Sequence, residues 1–284
     1  MSRSSASANQ AISLHDFPGP LVLVGAGKMG GAMLDGWLQL GLPPARIAVI
    51  EPQPSAEIAA LAARGLRLNS SLNGVHAPAA VVIAVKPQNA AEIMPLVAPL
   101  VGGATVILSI MAGKTIGFLA KELPPEAAIV RSMPNMPASI GRGITVAVAN
   151  PRVTSAQREL AHKLLAAIGA VEWVEDESVL DAVTAVSGSG PAYVFLLAES
   201  LAKAGAAAGL PADLAARLAR ATVAGSGELL HRSPLDAAVL RQNVTSPGGT
   251  TAAALELLMS EQGLDGLMRS AVAAATRRSR ELAG

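Results

Sequence analysis

The chain has 284 residues, of which 51% are hydrophobic, 15% charged and 2% aromatic. That length suits one large or two ordinary domains, and so apolar a chain is not a disordered one. With 22 basic against 21 acidic residues, the net charge is +1, which excludes a general nucleic-acid surface on both charge and stacking aromatics. There is no cysteine, so disulfide scaffolds, zinc–thiolate sites and catalytic thiols are excluded as well.

Residues 1–19 are rich in Ser and Ala without the apolar run of a signal peptide, and read as a flexible leader. Strands are expected over 21–24, 47–50, 81–85, 105–110, 128–130 and 144–148. These runs are short and mostly β-branched, as buried parallel strands are. Helices are expected between them over 33–40, from a Ser55 cap to Gly65, over 90–100 and over 115–123. This alternation over residues 20–176 predicts an α/β domain with a parallel sheet and right-handed crossovers. The uncharged stretch 93–113 contains Pro95, Pro99, Gly102 and Gly103. It reads as helix end, turn and strand, not as a membrane span.

From residue 177 to 284 the strand signal disappears. Helices are expected over 192–208, 212–230, 235–240, 251–259 and 264–281, with breaks at Gly209-Leu210-Pro211 and Ser233-Pro234. They are Ala-rich and apolar on more than one face, so they need covering. A second copy of the chain is the expected cover.

Gly25-Ala26-Gly27-Lys28-Met29-Gly30 follows the first strand and opens the first helix. This is the dinucleotide-binding pattern in its required context. The first Gly permits the turn, the second lets a pyrophosphate approach, and the third allows close packing. Glu51 closes the second strand, about 20 residues past the last Gly, where a ribose-reading acid is expected. A carboxylate there accepts from both ribose hydroxyls of NAD and repels a 2′-phosphate; the alternative is a solvated strand-end Glu. Val85-Lys86-Pro87 and Met111-Ala112-Gly113 follow two further strands, at the end of the sheet where ligands bind.

Two Gly-rich segments stand in the helical half: Ser187-Gly188-Ser189-Gly190-Pro191 and Thr245-Ser246-Pro247-Gly248-Gly249-Thr250-Thr251. Each is expected to open a helix and expose backbone N–H groups suited to a carboxylate, with hydroxyls from Ser246, Thr250 and Thr251. Ordinary N-capping is the alternative. The four His are scattered, so no metal site is expected. A nicotinamide cofactor with no obvious His base suits hydride transfer to an acceptor needing little proton help, such as a protonated imine.

Together these segments resemble the pyrroline-5-carboxylate reductase family over about residues 21–281. The resemblance rests on the glycine loop, Ala84-Val85-Lys86-Pro87, Arg131-Ser132-Met133-Pro134-Asn135-Met136-Pro137, Asp181-Ala182-Val183-Thr184, the Ser187 segment and Gln242-Asn243 running into Thr251. It implies a Rossmann-like N-terminal domain, a helical C-terminal domain that intertwines in a homodimer, five dimers commonly forming a decamer, and reduction of the cyclic imine to L-proline by NADPH or NADH. The leader has only Arg3 as a cation before Asp16, so it reads as no import signal and the chain is expected in the cytoplasm. The resemblance further implies that Gly25, Ala26, Gly27, Lys28 and Met29 cradle the pyrophosphate. Glu51 falls at the adenosine ribose, where the family often has Ser or Thr. Val85, Lys86, Pro87 and Ala112 line the nicotinamide, and Asn243 reaches the cofactor. Thr250 and Thr251 border the substrate, Glu177 matches a substrate-side acid, and Thr251 is the catalytic hydroxyl, with the carboxylate on Gly248 and Gly249. Met111 departs from the family's usual Ala.

Three other readings remain open at this stage. A 3-hydroxyacid dehydrogenase uses a Lys and an Asn early in its second domain, and residues 188–202 contain no Lys. A nucleotide sensor on the same fold would not need the 248–251 block. A reductase of a related cyclic imine differs only in ring size.

Overall fold

The computed structural model describes residues 12–70 and 74–283. Its first compact unit runs to Gly188 and takes in the chain again from Arg278. In chain order it contains β1 (Leu21–Val24), α1 (Lys28–Gln39), β2 (Ile47–Ile50), α2 (Ala56–Ala60), β3 (Arg67–Leu68), β4 (Ala80–Ile83), α3 (Ala90–Val97), β5 (Val106–Ser109), α4 (Ile116–Glu122), β6 (Ala128–Met133), β7 (Gly143–Ala149), α5 (Ser155–Ala166), β8 (Gly169–Trp173) and α6 (Leu180–Val183).

The strands form one sheet in the order β3-β2-β1-β4-β5-β6-β7-β8. Successive side chains of a strand point to opposite faces. Leu21 and Leu23 of β1 therefore pack with Met33, Leu34 and Trp37 of α1 and Leu164 of α5. Val22 and Val24 pack with Met94 and Val97 of α3 and Leu119 of α4. Burial on both faces is why β1 and β4 are continuous apolar runs. The Trp37 indole N–H, fully buried, donates to the Leu164 carbonyl at 2.8 Å and ties α1 to α5.

The expected parallel sheet holds from β3 to β6 and reverses at one edge. β6 pairs antiparallel with β7, while β7 and β8 run parallel to each other. Only a short 3-10 turn, Met136–Ile140, joins β6 to β7, and a parallel crossover needs a dozen residues or more. The strands β3 and β8 and the helix α5 add to the expected elements. A reciprocal box between Thr154 and Gln157 caps α5.

The expected leader also changes. Residues 1–11 lie outside the described residues. Beyond them, Leu14 and Phe17 are 2% exposed and join the core around Trp37. The Leu14 N–H donates to the Leu40 carbonyl at 2.9 Å, and Arg46 donates to the Phe17 carbonyl. Two apolar side chains three residues apart have reached core positions there, each contributing roughly 1.5–3 kcal/mol.

The second unit spans Ser189–Arg277. It holds α7 (Gly190–Ala207), α8 (Ala212–Arg232), α9 (Ala237–Asn243), α10 (Thr250–Leu258) and the larger part of α11 (Leu264–Ala283). Its side chains are far less buried than those of the sheet: Phe195, Leu196 and Leu197 of α7 are each more than half exposed. The stretch Glu177–Ala207 is long and apolar enough to cross a membrane by length and composition alone. Residues 93–113, by contrast, are divided among α3, a 3-10 turn and β5.

Candidate functional site

The register of β1 with β2 and β4, and of β4 with β5, brings four loops to one edge of the sheet. Gly25 donates to the Ile50 carbonyl at 2.8 Å, Ala84 to the Val24 carbonyl at 2.7 Å and Ile110 to the Ile83 carbonyl at 3.0 Å. The glycine loop, Glu51, the Val85-Lys86-Pro87 turn and Ala112 therefore share the carboxyl edge, where open α/β sheets hold their ligands. Lys28, Lys86 and Ala112 are exposed there, and Met111 is 1% exposed in the core behind them.

Each glycine of the loop has its own steric reason. Gly25 turns at φ +90°, and a Cβ on it would lie 2.7 Å from the Ala84 carbonyl oxygen and 2.9 Å from a Val85 methyl. A Cβ on Gly30 would run into the Gly25 carbonyl oxygen. Gly27 has nothing within 4 Å of its Cβ position, and it opens α1 without a side-chain cap. The start of α1 thus presents bare N–H groups and an open approach, which fits a pyrophosphate.

Glu51 is built into this loop. One carboxylate oxygen accepts the Ala26 N–H at 2.8 Å and the other the Gln53 N–H at 3.0 Å. Asn69, left-handed at φ 48°, makes two bonds to the Glu51 backbone. Its Oδ1 accepts the Glu51 N–H and its Nδ2 donates to the Glu51 carbonyl, both at 2.8 Å. Sequence reading missed Asn69 because β3, the strand before it, is only two residues long. Its one available signal was an Asn, the residue type that best tolerates φ > 0.

Glu177 follows β8, and one of its oxygens accepts from Arg131 Nη1 at 2.7 Å and from the Ile116 N–H at 2.8 Å. The Arg131 side chain is 7% exposed and that of Glu177 28%. The carboxylate therefore holds the end of β6 and the start of α4 together. Nearby, Asp181 accepts from the Ser279 hydroxyl at 2.7 Å.

The Ser187 segment opens a helix as expected: Ser189 is the N-cap of α7, with no side-chain cap bond, and Pro191 stands in the first turn. A π-helical turn, Thr184–Gly188, runs into it from α6. A Cβ on Gly188 would lie 2.8 Å from the Met133 methyl, so close packing accounts for that glycine.

In the second unit, the segment from Thr245 likewise opens a helix. Gly248 adopts φ +68°, and the Gly249 N–H donates to the Ser246 carbonyl at 3.0 Å. That bond removes one N–H from the expected anion nest. The first carbonyl bonded within α10 is that of Gly249, which accepts the Ala253 N–H at 3.2 Å. The N–H groups of Thr250, Thr251 and Ala252 precede that bond. No side chain caps α10, so the capping alternative for Ser246 and the threonines is not realised. Asn243 ends α9, exposed, at the other side of the same loop.

The fold and the carboxyl-edge site define a class: a dinucleotide-dependent oxidoreductase with a Rossmann-like domain and a helical second domain. Residues 177–282 match the family model described as pyrroline-5-carboxylate reductase dimerisation, and residues 20–113 match that of NADP oxidoreductase, coenzyme F420-dependent. The chain is 38% identical to the pyrroline-5-carboxylate reductase of Pseudomonas aeruginosa over 93% of its own length and 96% of the relative's. It is also 38% identical to that of Pisum sativum, over 92% and 95%. The solved Coxiella burnetii pyrroline-5-carboxylate reductase superposes with a TM-score of 0.83 at 32% identity, covering 93% of this chain and 98% of that one. The Plasmodium falciparum enzyme with NADP bound gives 0.78 at 29%, covering 94% and 99%. The chain belongs to the pyrroline-5-carboxylate reductase family.

Proposed function

We propose that the chain reduces 1-pyrroline-5-carboxylate to L-proline with NADPH or NADH. The single observation that carries this is family membership over nearly the whole chain, joined to a carboxyl-edge loop whose uncapped N–H groups suit a dinucleotide. When bound, the reduced nicotinamide supplies the hydride.

The residues divide the work. Gly25, Ala26, Gly27, Lys28 and Met29 hold the pyrophosphate, and Val85, Lys86, Pro87 and Ala112 line the nicotinamide, with Asn243 reaching the cofactor. Ser246, Gly248, Gly249 and the first N–H groups of α10 hold the substrate carboxylate, and Glu177 stands on the substrate side. The Thr251 hydroxyl hydrogen-bonds the ring nitrogen, orients it and relays its proton. Most of the rate then comes from positioning and charge placement, because an iminium carbon is already electrophilic.

The homo-oligomer follows from the dimerisation domain. We propose the intertwined dimer as its unit and a ring of five dimers as the full assembly, working in the cytoplasm. The exposed apolar residues of α7 support this reading, because a partner subunit would cover them.

The test is oxidation of NADH and NADPH, followed by absorbance, with pyrroline-5-carboxylate as acceptor. Turnover with either cofactor is the expected result. Folded, dinucleotide-bound protein that turns over neither would overturn the proposal in favour of a related cyclic imine or a sensor.

A further inference from the structure

The glycine loop, the end of β2 and the end of β3 are locked together through Glu51, and this lock bears on cofactor choice. We infer that Glu51, held in place by Asn69, makes the chain an NADH-preferring reductase that discriminates against the 2′-phosphate of NADPH. The inference rests on the proposed dinucleotide chemistry and deepens it.

Geometry carries the argument. A carboxylate has about four lone-pair positions. Two are taken, by Ala26 and Gln53, one on each oxygen. Those bonds fix the group beside the loop that receives the pyrophosphate, and each oxygen keeps an acceptor position. A ribose diol offers two hydroxyl donors to such a pair, and a 2′-phosphate offers none and adds like charge. The backbone beneath is fixed as well. Asn69 bonds both the N–H and the carbonyl of Glu51 at 2.8 Å and donates its own N–H to the Val49 carbonyl at 2.8 Å. The acid is thereby pre-organised and does not need to be ordered by the ligand.

The surrounding charge agrees. No Lys or Arg occurs from Pro52 to Ala63, and that stretch adds a second acid, Glu57. Arg46 and Arg67 line a groove with Gly19 and Pro20, which lead into the start of β1. Both arginines therefore lie toward the amino edge of the sheet, and Arg67 is engaged there with the Gly74 carbonyl at 3.2 Å. Neither is placed to clamp a phosphate at Glu51.

Dissociation constants for NADH and NADPH, read from nicotinamide fluorescence on the full-length protein without substrate, give the direct test. Reduced nicotinamide mononucleotide, which lacks the adenosine ribose, serves as control. The expected wild-type preference for NADH is about ten- to a hundredfold, the worth of one or two charge-assisted bonds. Glu51→Gln keeps an oxygen for the Ala26 N–H and removes the charge, and should erase most of that preference. Asn69→Gly keeps the left-handed backbone and removes both side-chain bonds. It should narrow the preference through weaker NADH binding, with the mononucleotide unaffected. Equal or tighter binding of NADPH by the wild type would overturn the inference, as would an unchanged ratio in Glu51→Gln. A parallel loss for all three ligands would reduce Asn69 to a folding role and overturn its part. Turnover of pyrroline-5-carboxylate, measured separately, tests the reductase reading without touching this ratio.

Discussion

A single methyl group separates two roles within the glycine loop. Gly30→Ala would set its Cβ against the Gly25 carbonyl and 3.2 Å from the Ala84 methyl. It should cost about 1–3 kcal/mol of stability, as overpacking does, measured by urea denaturation. Gly27→Ala meets open space instead. Its stability should hold within about 1 kcal/mol while dinucleotide affinity falls, because the methyl stands where the pyrophosphate approaches. Thr251→Ala should lower kcat with pyrroline-5-carboxylate by roughly a hundredfold or more and leave the dissociation constant of the cofactor nearly unchanged. Equal kcat in that variant would remove Thr251 from the chemistry.

At the scale of elements, charge placement decides how α1 and β6 are held. The Asp35 side chain is exposed on α1, yet partial desolvation, and then the neighbouring Glu57 carboxylate, push its carboxyl above the ordinary range. A raised folded-state value means that the folded chain keeps its proton to higher pH than the unfolded chain. Stability is therefore lost as pH rises through that folded value. Asp35→Asn should raise the melting temperature at neutral pH, and its advantage should vanish below the usual aspartate range. Arg131 and Glu177 join β6 to the turn after β8. Glu177→Ala would strand a buried guanidinium and the Ile116 N–H, and should cost about 3 kcal/mol. Adding Arg131→Met should restore part of that loss, measured by the same denaturation.

For the whole molecule, the contrast between the two units matters most. The sheet unit buries its strands on both faces, whereas Phe195, Leu196 and Leu197 of α7 stand open in the single chain. So much exposed apolar surface in a dimerisation domain implies a partner. Leu196→Glu should shift sedimentation toward the monomer, with dinucleotide binding retained by the sheet unit. A dimer of unchanged strength would show that α7 does not form its core.

Features that repeat locally along the chain are legible before it folds. Short β-branched runs gave six strands within a few residues, Ser55 gave its helix cap, and the 25–30 loop declared its ligand class, because each depends on neighbours in the chain. Other features depended on residues far apart. The reversal at β7 is set by strand pairing, which local pattern does not encode. β3 is too short for any periodicity to show. Leu14 and Phe17 read as leader until the core offered them a place. The Ser187 segment does open α7, but the π-helical turn before it, where Gly188 admits the Met133 methyl, has no local signal in the chain. At the site, residue type and spacing marked Glu51. The structure decided what holds it: Ala26, 25 positions away, and Asn69, 18 positions away. Hydrogen bonds at such separations follow from the stacking of β3, β2 and β1 in one sheet, and only the folded chain brings those strands together.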